Sequence, residues 1–176
     1  MNRPLRLALT AFLAIFAAGP AAAELPVGGK APVFTTRAAL AGNEFGFSLR
    51  AALAKGPVVV YFYPKAFTQG CTLEANAFAE AMPQFRKLGA SVIGLSADDI
   101  DTLKRFSREE CRDAFPVGVA SKKLIGAYDV ARENSELALR TSYVIAPNGR
   151  VAHVYTNGDY REHVERTLAA VKALSR

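Results

Sequence analysis

The fold of this 176-residue chain is decided by residues 57–71, which read PVVVYFYPKAFTQGC. Residues 57–63 form a continuous β-branched and aromatic run, which is typical of a strand buried on both faces of a sheet. The strand has to stop at Pro64, because proline cannot continue a central hydrogen-bonded ladder. Gly70 then opens a helix, which places Cys71 in the first helical turn.

The helix that opens at Gly70 is predicted to run to about Leu88. Pro83 lies inside it and predicts a kink, because the proline ring clashes with the preceding turn. The apolar residues recur at alternating intervals of four and three positions, which is the pattern of an amphipathic helix. This apolar stripe consists of Cys71, Ala75, Phe78, Met82 and Phe85.

The rest of the chain alternates between strands and helices. Residues 24–37 have the character of an irregular lead-in with a short extended piece at residues 33–36. The order of the elements predicts an α/β fold of the thioredoxin type, with a central mixed β-sheet flanked by helices. The elements predicted after the first helix are a buried strand at residues 90–95, a helix at residues 99–111 capped by Ser96 or Asp98, an extended piece at residues 115–117, a hairpin of residues 141–146 and 150–155, and a terminal helix.

Residues 1–23 have the three parts of a secretory signal peptide. Two arginines supply a basic start, residues 7–18 are an almost unbroken apolar run, and the alanines at 21–23 provide a small-x-small cleavage site. The alternative is a membrane anchor, but the apolar run is shorter than the roughly 20 residues that cross a bilayer. We therefore predict a signal peptide at residues 1–23 and one domain at residues 24–176, secreted to the periplasm without stable membrane association after cleavage.

The charge of the chain argues against nucleic-acid binding. The formal net charge of +6 falls to +4 without the two arginines of residues 1–23. The remaining cations are scattered among acids, whereas nucleic-acid binding requires a concentrated basic face. His153 and His163 have no partner at metal-ligand spacing, so no metal site is predicted. His163 also faces away from the apolar stripe of the terminal helix, and we expect it to be exposed.

Cys71 has the surroundings of a reactive thiol. A cysteine in the first turn of a helix faces unpaired backbone N–H groups and the positive end of the helix dipole, and both favour the reactive thiolate. Thr68 is placed to direct its hydroxyl into the same pocket. Such a site suits displacement on a peroxide oxygen, which requires a thiolate, hydrogen-bond donors and a nearby cation. In an exported protein, Cys71 and Cys111 are also a candidate disulfide.

Four residues make up a pattern that extends beyond this local site. Pro64, Thr68 and Cys71 meet the motif Pro-x-x-x-Thr-x-x-Cys, and Arg140 stands shortly before the penultimate strand. The pattern resembles the active site of the peroxiredoxins, and it is closest to the bacterioferritin-comigratory protein (PrxQ) branch. The resemblance covers nearly all of residues 24–176, and its further marks are the stretches YFYPK at 61–65, GKAPVF at 29–34 and VIGLS at 92–96.

The resemblance implies a thiol-dependent peroxidase that needs no cofactor. Cys71 would be the peroxidatic cysteine, which becomes a sulfenic acid when it reduces hydrogen peroxide or an organic hydroperoxide. Thr68 and Arg140 would bind the peroxide and stabilise the transition state. Pro64 would shield the pocket from bulk water, and Glu74 would orient Arg140. A thioredoxin-like protein or a small thiol would recycle the enzyme, which is expected to be a monomer.

The sequence departs from the common PrxQ pattern at Asn76. Many members carry their resolving cysteine at this position, five residues after the peroxidatic one. The resemblance then favours Cys111 as the resolving cysteine, by an intramolecular disulfide that requires local unwinding of both segments. Two alternatives stay open: a one-cysteine enzyme resolved by an external thiol, and an intermolecular disulfide.

Two other classes of protein share the predicted fold. An exported thiol-disulfide oxidoreductase normally uses Cys-x-x-Cys, but Glu74 occupies the position of its second cysteine. A copper-delivery protein uses Cys-x-x-x-Cys, and Ala75 occupies that position. Because fold alone does not separate these functions, the prediction depends on the site.

Overall fold

The computed structural model describes residues 24–175, so the predicted signal peptide lies outside the described residues. The described part contains seven strands and five α-helices. In chain order they are β1 (Thr35–Leu40), β2 (Asn43–Ser48), α1 (Leu49–Leu53), β3 (Val58–Phe62), α2 (Gln69–Lys87), β4 (Ser91–Ser96), α3 (Ile100–Glu109), β5 (Val117–Val119), α4 (Lys122–Ala127), β6 (Thr141–Ile145), β7 (Val151–Thr156) and α5 (His163–Leu174).

The strands form one mixed sheet in the order β2-β1-β5-β4-β3-β6-β7. Strand β3 is parallel to β4, and β4 is parallel to β5. The hairpin of β6 and β7 is antiparallel, and β6 pairs with β3. The predicted mixed sheet flanked by helices is therefore confirmed, and the hairpin turns at the Pro147-Asn148-Gly149 segment as expected.

Strand β3 separates two hydrophobic cores, because its successive side chains point to opposite faces of the sheet. Val59 and Tyr61 belong to the core beneath α2, α3 and α5. Val58, Val60 and Phe62 belong to the core beneath α1 and α4. All five side chains are buried, which is the arrangement that the unbroken apolar run predicted.

The lead-in at residues 24–37 is more regular than predicted. Its end forms β1, which pairs with β2 in an antiparallel hairpin and with β5 on its other side. The turn of the hairpin uses Ala41 and Gly42, both at positive φ. The sequence pattern missed this hairpin because β2 lies at the sheet edge and most of its side chains are exposed, so it lacks a buried stripe. The short helices α1 and α4 were also not predicted.

The extent and the apolar stripe predicted for α2 are confirmed, and every member of the stripe is buried. The helix continues past Pro83, and the kink at this residue stays a prediction. Helix α3 ends at Glu109, so that Cys111 lies just beyond the helix and not within it. Within residues 24–175, no helix combines the length and the apolar character that crossing a membrane would require.

Candidate active site

The loop between β3 and α2 is anchored to the neighbouring strand. The Tyr63 amide donates to the Leu95 carbonyl at 3.0 Å. The Ala66 amide donates to Oδ2 of Asp98 at 2.8 Å, and the same oxygen accepts from the Ser96 hydroxyl at 2.8 Å. Phe67 then takes a positive φ of 60°, which turns the chain into the helix.

Asp98 thus has a different role from the predicted one. The sequence suggested Ser96 or Asp98 as the cap of α3, but Asp99 is the N-cap and accepts from the Thr102 amide at 2.9 Å. Asp98 instead fixes the loop that leads to Cys71. No local sequence signal distinguishes the two aspartates, because the partner of Asp98 lies 32 positions away.

Cys71 lies in the first turn of α2 and is only 2 % exposed. Thr68 is the N-cap residue, but its side chain does not cap the helix. Its exposed hydroxyl donates to the Lys65 carbonyl at 2.9 Å. The amide groups of the first turn therefore have no side-chain cap, and they remain available to a negative charge at Cys71.

Arg140 reaches the same point from the segment before β6. Its Nη2 lies 3.4 Å from the Sγ atom of Cys71, and its Nε donates to the Gly158 carbonyl at 3.0 Å. Its Nη1 pairs with Oε2 of Glu74, which is fully buried one turn further along α2. Gly70 leaves room for the guanidinium, since a Cβ at that position would lie 3.2 Å from Nη2.

The buried charges around Cys71 affect one another strongly. Burial raises the pKa of Glu74 to about 8, although the Arg140 guanidinium opposes that shift. Burial also disfavours the charge of Arg140, but Glu74 and Cys71 more than offset it, and the pKa of Arg140 is raised. A protonated Glu74 leaves the positive charge of Arg140 available to a thiolate on Cys71.

The prediction for His163 is wrong, because this side chain is fully buried. Its Nδ1 lies 2.8 Å from the Ser142 hydroxyl, and its Nε2 lies 3.1 Å from the Asn157 carbonyl. Nδ1 is also 3.8 Å from Oε1 of Glu74. Burial lowers the pKa of His163 to about 4, so the ring is neutral near pH 7.

His163 and Thr167 are buried on α5 beside Leu168 and Val171, because this side of the helix packs against β6 and β7. Periodicity within α5 does not reveal that the buried side extends to two polar residues.

A surface cleft opens beside the guanidinium of Arg140. Pro64 forms one wall of this cleft, and Thr156 and Gly158 contribute from the end of β7 and the loop after it. Pro64 is partly buried. The structure thus brings together Pro64, Arg140, Glu74 and Cys71, while Thr68 stands at the helix start with its hydroxyl turned to Lys65.

Cys111 lies in a different environment from Cys71. It is fully buried in the same hydrophobic core, and neither cysteine is in a disulfide. Burial raises the pKa of the Cys111 thiol well above its usual value, and the nearby acids Glu110 and Asp113 raise it further. Cys111 is therefore held as a thiol.

The other two chemistries do not fit this site. A dithiol oxidoreductase would need a second cysteine where Glu74 pairs with Arg140. Within residues 24–175, no three His, Cys, Asp or Glu side chains form a group suited to a metal ion.

A cysteine in the first turn of a helix, beside a buried arginine and directly after a central strand of a mixed sheet, defines the thiol-peroxidase class of the thioredoxin-like fold. The chain belongs to the AhpC/TSA family, whose model matches residues 27–154. It is therefore a peroxiredoxin, an oxidoreductase that reduces peroxide with electrons from a thiol.

Relatives and solved structures agree with this assignment. A protein of Oryza sativa subsp. indica, described as a putative chloroplastic peroxiredoxin Q, is 35% identical over 150 residues, covering 84% of this chain and 67% of the relative. Peroxiredoxin Bcp of Xanthomonas campestris pv. campestris is 32% identical over 123 residues, covering 66% of this chain and 76% of the relative. The crystal structure of peroxidoxin BcpB from Mycobacterium tuberculosis superposes with a TM-score of 0.76 at 27% identity, covering 84% of this chain and 97% of that structure.

Proposed function

We propose that Cys71 is the peroxidatic cysteine and that Arg140 stabilises both its thiolate and the transition state. The observation that carries this proposal is the 3.4 Å contact between Nη2 of Arg140 and Sγ of Cys71, at a helix start without a side-chain cap. In a buried site, a guanidinium and free amide groups interact with a developing negative charge more strongly than the same groups do in water.

The first half of the cycle then follows from this geometry. The Cys71 thiolate attacks one oxygen of the peroxide, forming an S–O bond as the O–O bond breaks. The second oxygen leaves as hydroxide or alkoxide and takes a proton from solvent, and Cys71 is left as a sulfenic acid. Thr68 would offer its hydroxyl to the peroxide after giving up its bond to the Lys65 carbonyl, and Pro64 would screen the pocket.

Both hydrogen peroxide and organic hydroperoxides are proposed as substrates. The cleft between Pro64, Thr156 and Gly158 is open beside Arg140, so a substituent on the peroxide has a place to lie. A solved structure of the bacterioferritin comigratory protein of Xanthomonas campestris, 31% identical to this chain, is described in terms of alkyl peroxide reduction activity.

For the second half of the cycle, we propose that Cys111 resolves the sulfenic acid. Its thiolate would attack the sulfur of Cys71, so that the S–S bond forms as the S–O bond breaks and the hydroxide released takes a proton from solvent to become water. Cys111 is fully buried, so this step requires both segments to unwind locally. The turn after it supports such opening, because Arg112 and Asp113 take consecutive positive φ values of 51° and 57°, a conformation that costs most non-glycine residues energy.

Polar contacts with α2 hold the Cys111 segment in its closed position. The Asn76 side chain lies 3.4 Å from a carboxylate oxygen of Glu110. Glu80 pairs with Arg112 at 3.1 Å. Glu80 and Arg112 are both exposed, and an exposed ion pair contributes at most about 1 kcal/mol to stability. Opening the segment also breaks the bond that Arg86 of α2 donates to the Ala114 carbonyl, and the backbone bonds that Cys111 and Asp113 donate to Phe106 and Ser107.

A first-turnover experiment tests the role of Cys71. The reduced protein is mixed with one equivalent of hydrogen peroxide, and peroxide loss is followed by stopped flow. Cys71→Ser should lower the rate by at least about 10³-fold, because the nucleophile is lost. Cys111→Ser is the matched control, since it removes the other thiol and should leave the first turnover unchanged. If Cys71→Ser consumes peroxide as fast as the unmodified protein, the proposal is wrong.

Mass spectrometry of the same reaction tests resolution. A Cys71–Cys111 link shows a loss of two hydrogens and supports the two-cysteine cycle. A persistent sulfenic or sulfinic acid on Cys71 with Cys111 still free supports an enzyme resolved by an external thiol. A cross-linked dimer on non-reducing gels supports an intermolecular disulfide.

We also propose that the enzyme is exported by cleavage after residue 23, that it works as a monomer in the periplasm, and that a thioredoxin-like protein or small thiol of that compartment reduces it. N-terminal sequencing of the mature protein from a periplasmic fraction should begin at Glu24. Light scattering of the reduced and oxidised protein should give the mass of one chain. A leader retained on the mature protein would contradict cleavage after residue 23. A stable dimer would contradict the monomer.

A further inference from the structure

Phe67 belongs to the loop between β3 and α2, but its ring packs against α3. The ring is in edge-to-face contact with Phe106, with centroids 5.2 Å apart and planes at 85°. The guanidinium of Arg105 lies over the same ring, 5.0 Å from its centroid. The loop that leads to Cys71 is therefore attached to the helix that precedes Cys111.

The backbone of Phe67 is held in a strained conformation. Its φ is 60°, which is rare and costly for a residue with a bulky side chain. Such strain persists only where the surrounding contacts hold it in place. The contacts on the two sides of the loop are the bond from the Ala66 amide to Asp98 and the packing of Phe67 on Phe106. Loss of the Phe106 contact should therefore let the loop unwind.

Phe106 extends this connection to the Cys111 segment. Its ring is fully buried and meets two residues of the β3–α2 loop, since it is stacked on Tyr63, with centroids 5.5 Å apart, and edge-to-face with Phe67. Its carbonyl oxygen accepts from the amides of Glu110 and Cys111, each at 3.0 Å. One residue thus packs against the β3–α2 loop through its side chain and holds the Cys111 turn through its backbone.

We propose that Phe67 and Phe106 are positioning residues whose contact couples the opening of the Cys71 segment to the opening of the Cys111 segment. While both segments are closed, the contact stabilises each of them. Once the β3–α2 loop unwinds, Phe106 loses Phe67 as a neighbour, and the end of α3 opens more readily. Opening at Cys111 favours unwinding of the loop by the same factor, because coupling is reciprocal. This coupling rests on the proposed disulfide between Cys71 and Cys111, which requires both segments to open.

The coupling gives the two openings an order. A sulfenic oxygen on Cys71 enters a site where this residue is only 2% exposed, and an added atom in a packed site forces its neighbours to move. The β3–α2 loop is then the first segment to unwind. The release of Phe106 makes the thiol of Cys111 available to the new sulfenic acid. Before oxidation, the intact contact keeps Cys111 covered.

Alkylation by iodoacetamide measures the opening at Cys111, because a fully buried thiol reacts only after its segment opens. The protein carries Cys71→Ser, so that Cys111 is the single thiol of the chain. Phe67→Ala keeps the backbone strain but removes the ring, and should raise the alkylation rate about threefold to tenfold, the contribution of one aromatic pair. Leu73→Ala is the matched control, because Leu73 on α2 is 41% exposed and Phe67 is 37% exposed; it should leave the rate unchanged.

A double-mutant cycle determines whether this effect passes through the aromatic pair. Phe106→Leu keeps an apolar side chain in the core but removes the edge-to-face contact. In its presence, Phe67→Ala should raise the alkylation rate by less than about twofold. Reciprocally, Phe106→Leu should speed hydrogen exchange at the Ala66 and Thr72 amides, which are bonded in the loop and in the first turn of α2. The factor should be similar to the one that Phe67→Ala produces at Cys111.

Equal effects of Phe67→Ala in the two backgrounds, or unchanged exchange at Ala66 in Phe106→Leu, would overturn the coupling. Alkylation that depends on low urea concentrations as steeply as unfolding does would also overturn it, because local opening depends on urea only weakly.

If Phe106→Leu does not fold, Arg105→Met decides, since it removes the other contact between α3 and Phe67 from an exposed position. A roughly twofold to fivefold rise in exchange at Ala66, the usual contribution of such a cation–π contact, supports the coupling, and no rise refutes it. None of these measurements requires peroxide. Their failure is therefore distinguishable from a failure of Cys71 as the nucleophile, which the first-turnover experiment detects.

Discussion

The two cysteines of this protein are both buried in one hydrophobic core, yet their surroundings are opposite. Cys71 stands at the start of a long helix with a guanidinium 3.4 Å from its sulfur. Cys111 stands just past the end of a helix, with Glu110 and Asp113 as its charged neighbours. Burial alone raises a thiol pKa, as it does for Cys111. Under the proposed roles, a cation and free helix amides, and not exposure, distinguish the thiol that attacks peroxide from a thiol that the closed fold keeps protonated.

Removal of the Arg140 cation should leave Cys71 as a buried thiol without a positive neighbour, as Cys111 is. We expect the loss of first-turnover rate from this change to be the largest effect. Arg140→Met keeps most of the side-chain volume but no charge, and should lower the first-turnover rate about 10²- to 10³-fold, the usual loss for one transition-state donor. Stopped-flow peroxide consumption measures it. Arg132→Met is the matched control, because Arg132 is exposed on the same cleft. Equal losses of rate in both variants would show that the reactivity of Cys71 depends on the net charge around the cleft and not on its contact with Arg140.

The Cys71 site contains another buried ionisable group, Glu74, which pairs with Arg140. The folded state holds the Glu74 proton to about pH 8, whereas the unfolded chain releases it near the ordinary glutamate pKa of about 4.3. The folded state thus binds more protons, and the free energy of unfolding should fall as pH rises between these values. The unfolded chain still releases part of the His163 proton just above pH 6.5, its ordinary pKa, which opposes this fall. The net fall from pH 6.5 to 8 should therefore be about 1 kcal/mol.

Urea unfolding at pH 6.5 and pH 8 measures this fall. Glu74→Gln keeps an acceptor for Arg140 but cannot ionise, so its stability should change little over the same range. Glu165→Gln is the control, because Glu165 is exposed on α5 and its loss should leave the pH dependence as it is. A wild-type protein that grows more stable between pH 6.5 and 8 would contradict the protonated state of Glu74.

The smallest expected effect concerns the strained turn after Cys111. Asp113→Gly and Asp113→Ala both remove the same carboxylate, but only glycine takes a positive φ without strain. Asp113→Gly should therefore be more stable than Asp113→Ala by about 1 kcal/mol. If strain assists opening, Asp113→Gly should also form the Cys71–Cys111 disulfide more slowly, by up to about fivefold.

Rapid quenching with mass spectrometry measures the disulfide, and urea unfolding measures the stability. The same pair of substitutions at Asp129, where φ is also positive at 54°, provides the control. That pair should show the stability difference without any change in disulfide formation. If the two Asp113 variants resolve at the same rate, strain in this turn does not contribute to resolution.

Much of this architecture could be predicted from local pattern. The unbroken run of β3 predicted a strand with side chains in two cores, and the alternating spacing of α2 predicted a stripe that is buried at every position. The missed hairpin of β1 and β2 shows the limit, because an edge strand with exposed side chains has no periodic signature. The terminal helix shows it too, since the polar residues His163 and Thr167 are buried there beside the apolar stripe.

By itself, the sequence determined the elements and the chemistry of single positions: the central strand, the long helix, and the cysteine in its first turn. The family resemblance predicted that Arg140 and Glu74 act at that cysteine, but only the tertiary structure gives their contacts and adds His163 beside Glu74. Arg140 lies 69 positions from Cys71 and 66 from Glu74 along the chain, and His163 comes from a different helix. The physical reason is that periodicity reports which face of one element is apolar, whereas the charge, tautomer and protonation of a buried group depend on partners that only the folded chain brings within a few ångströms.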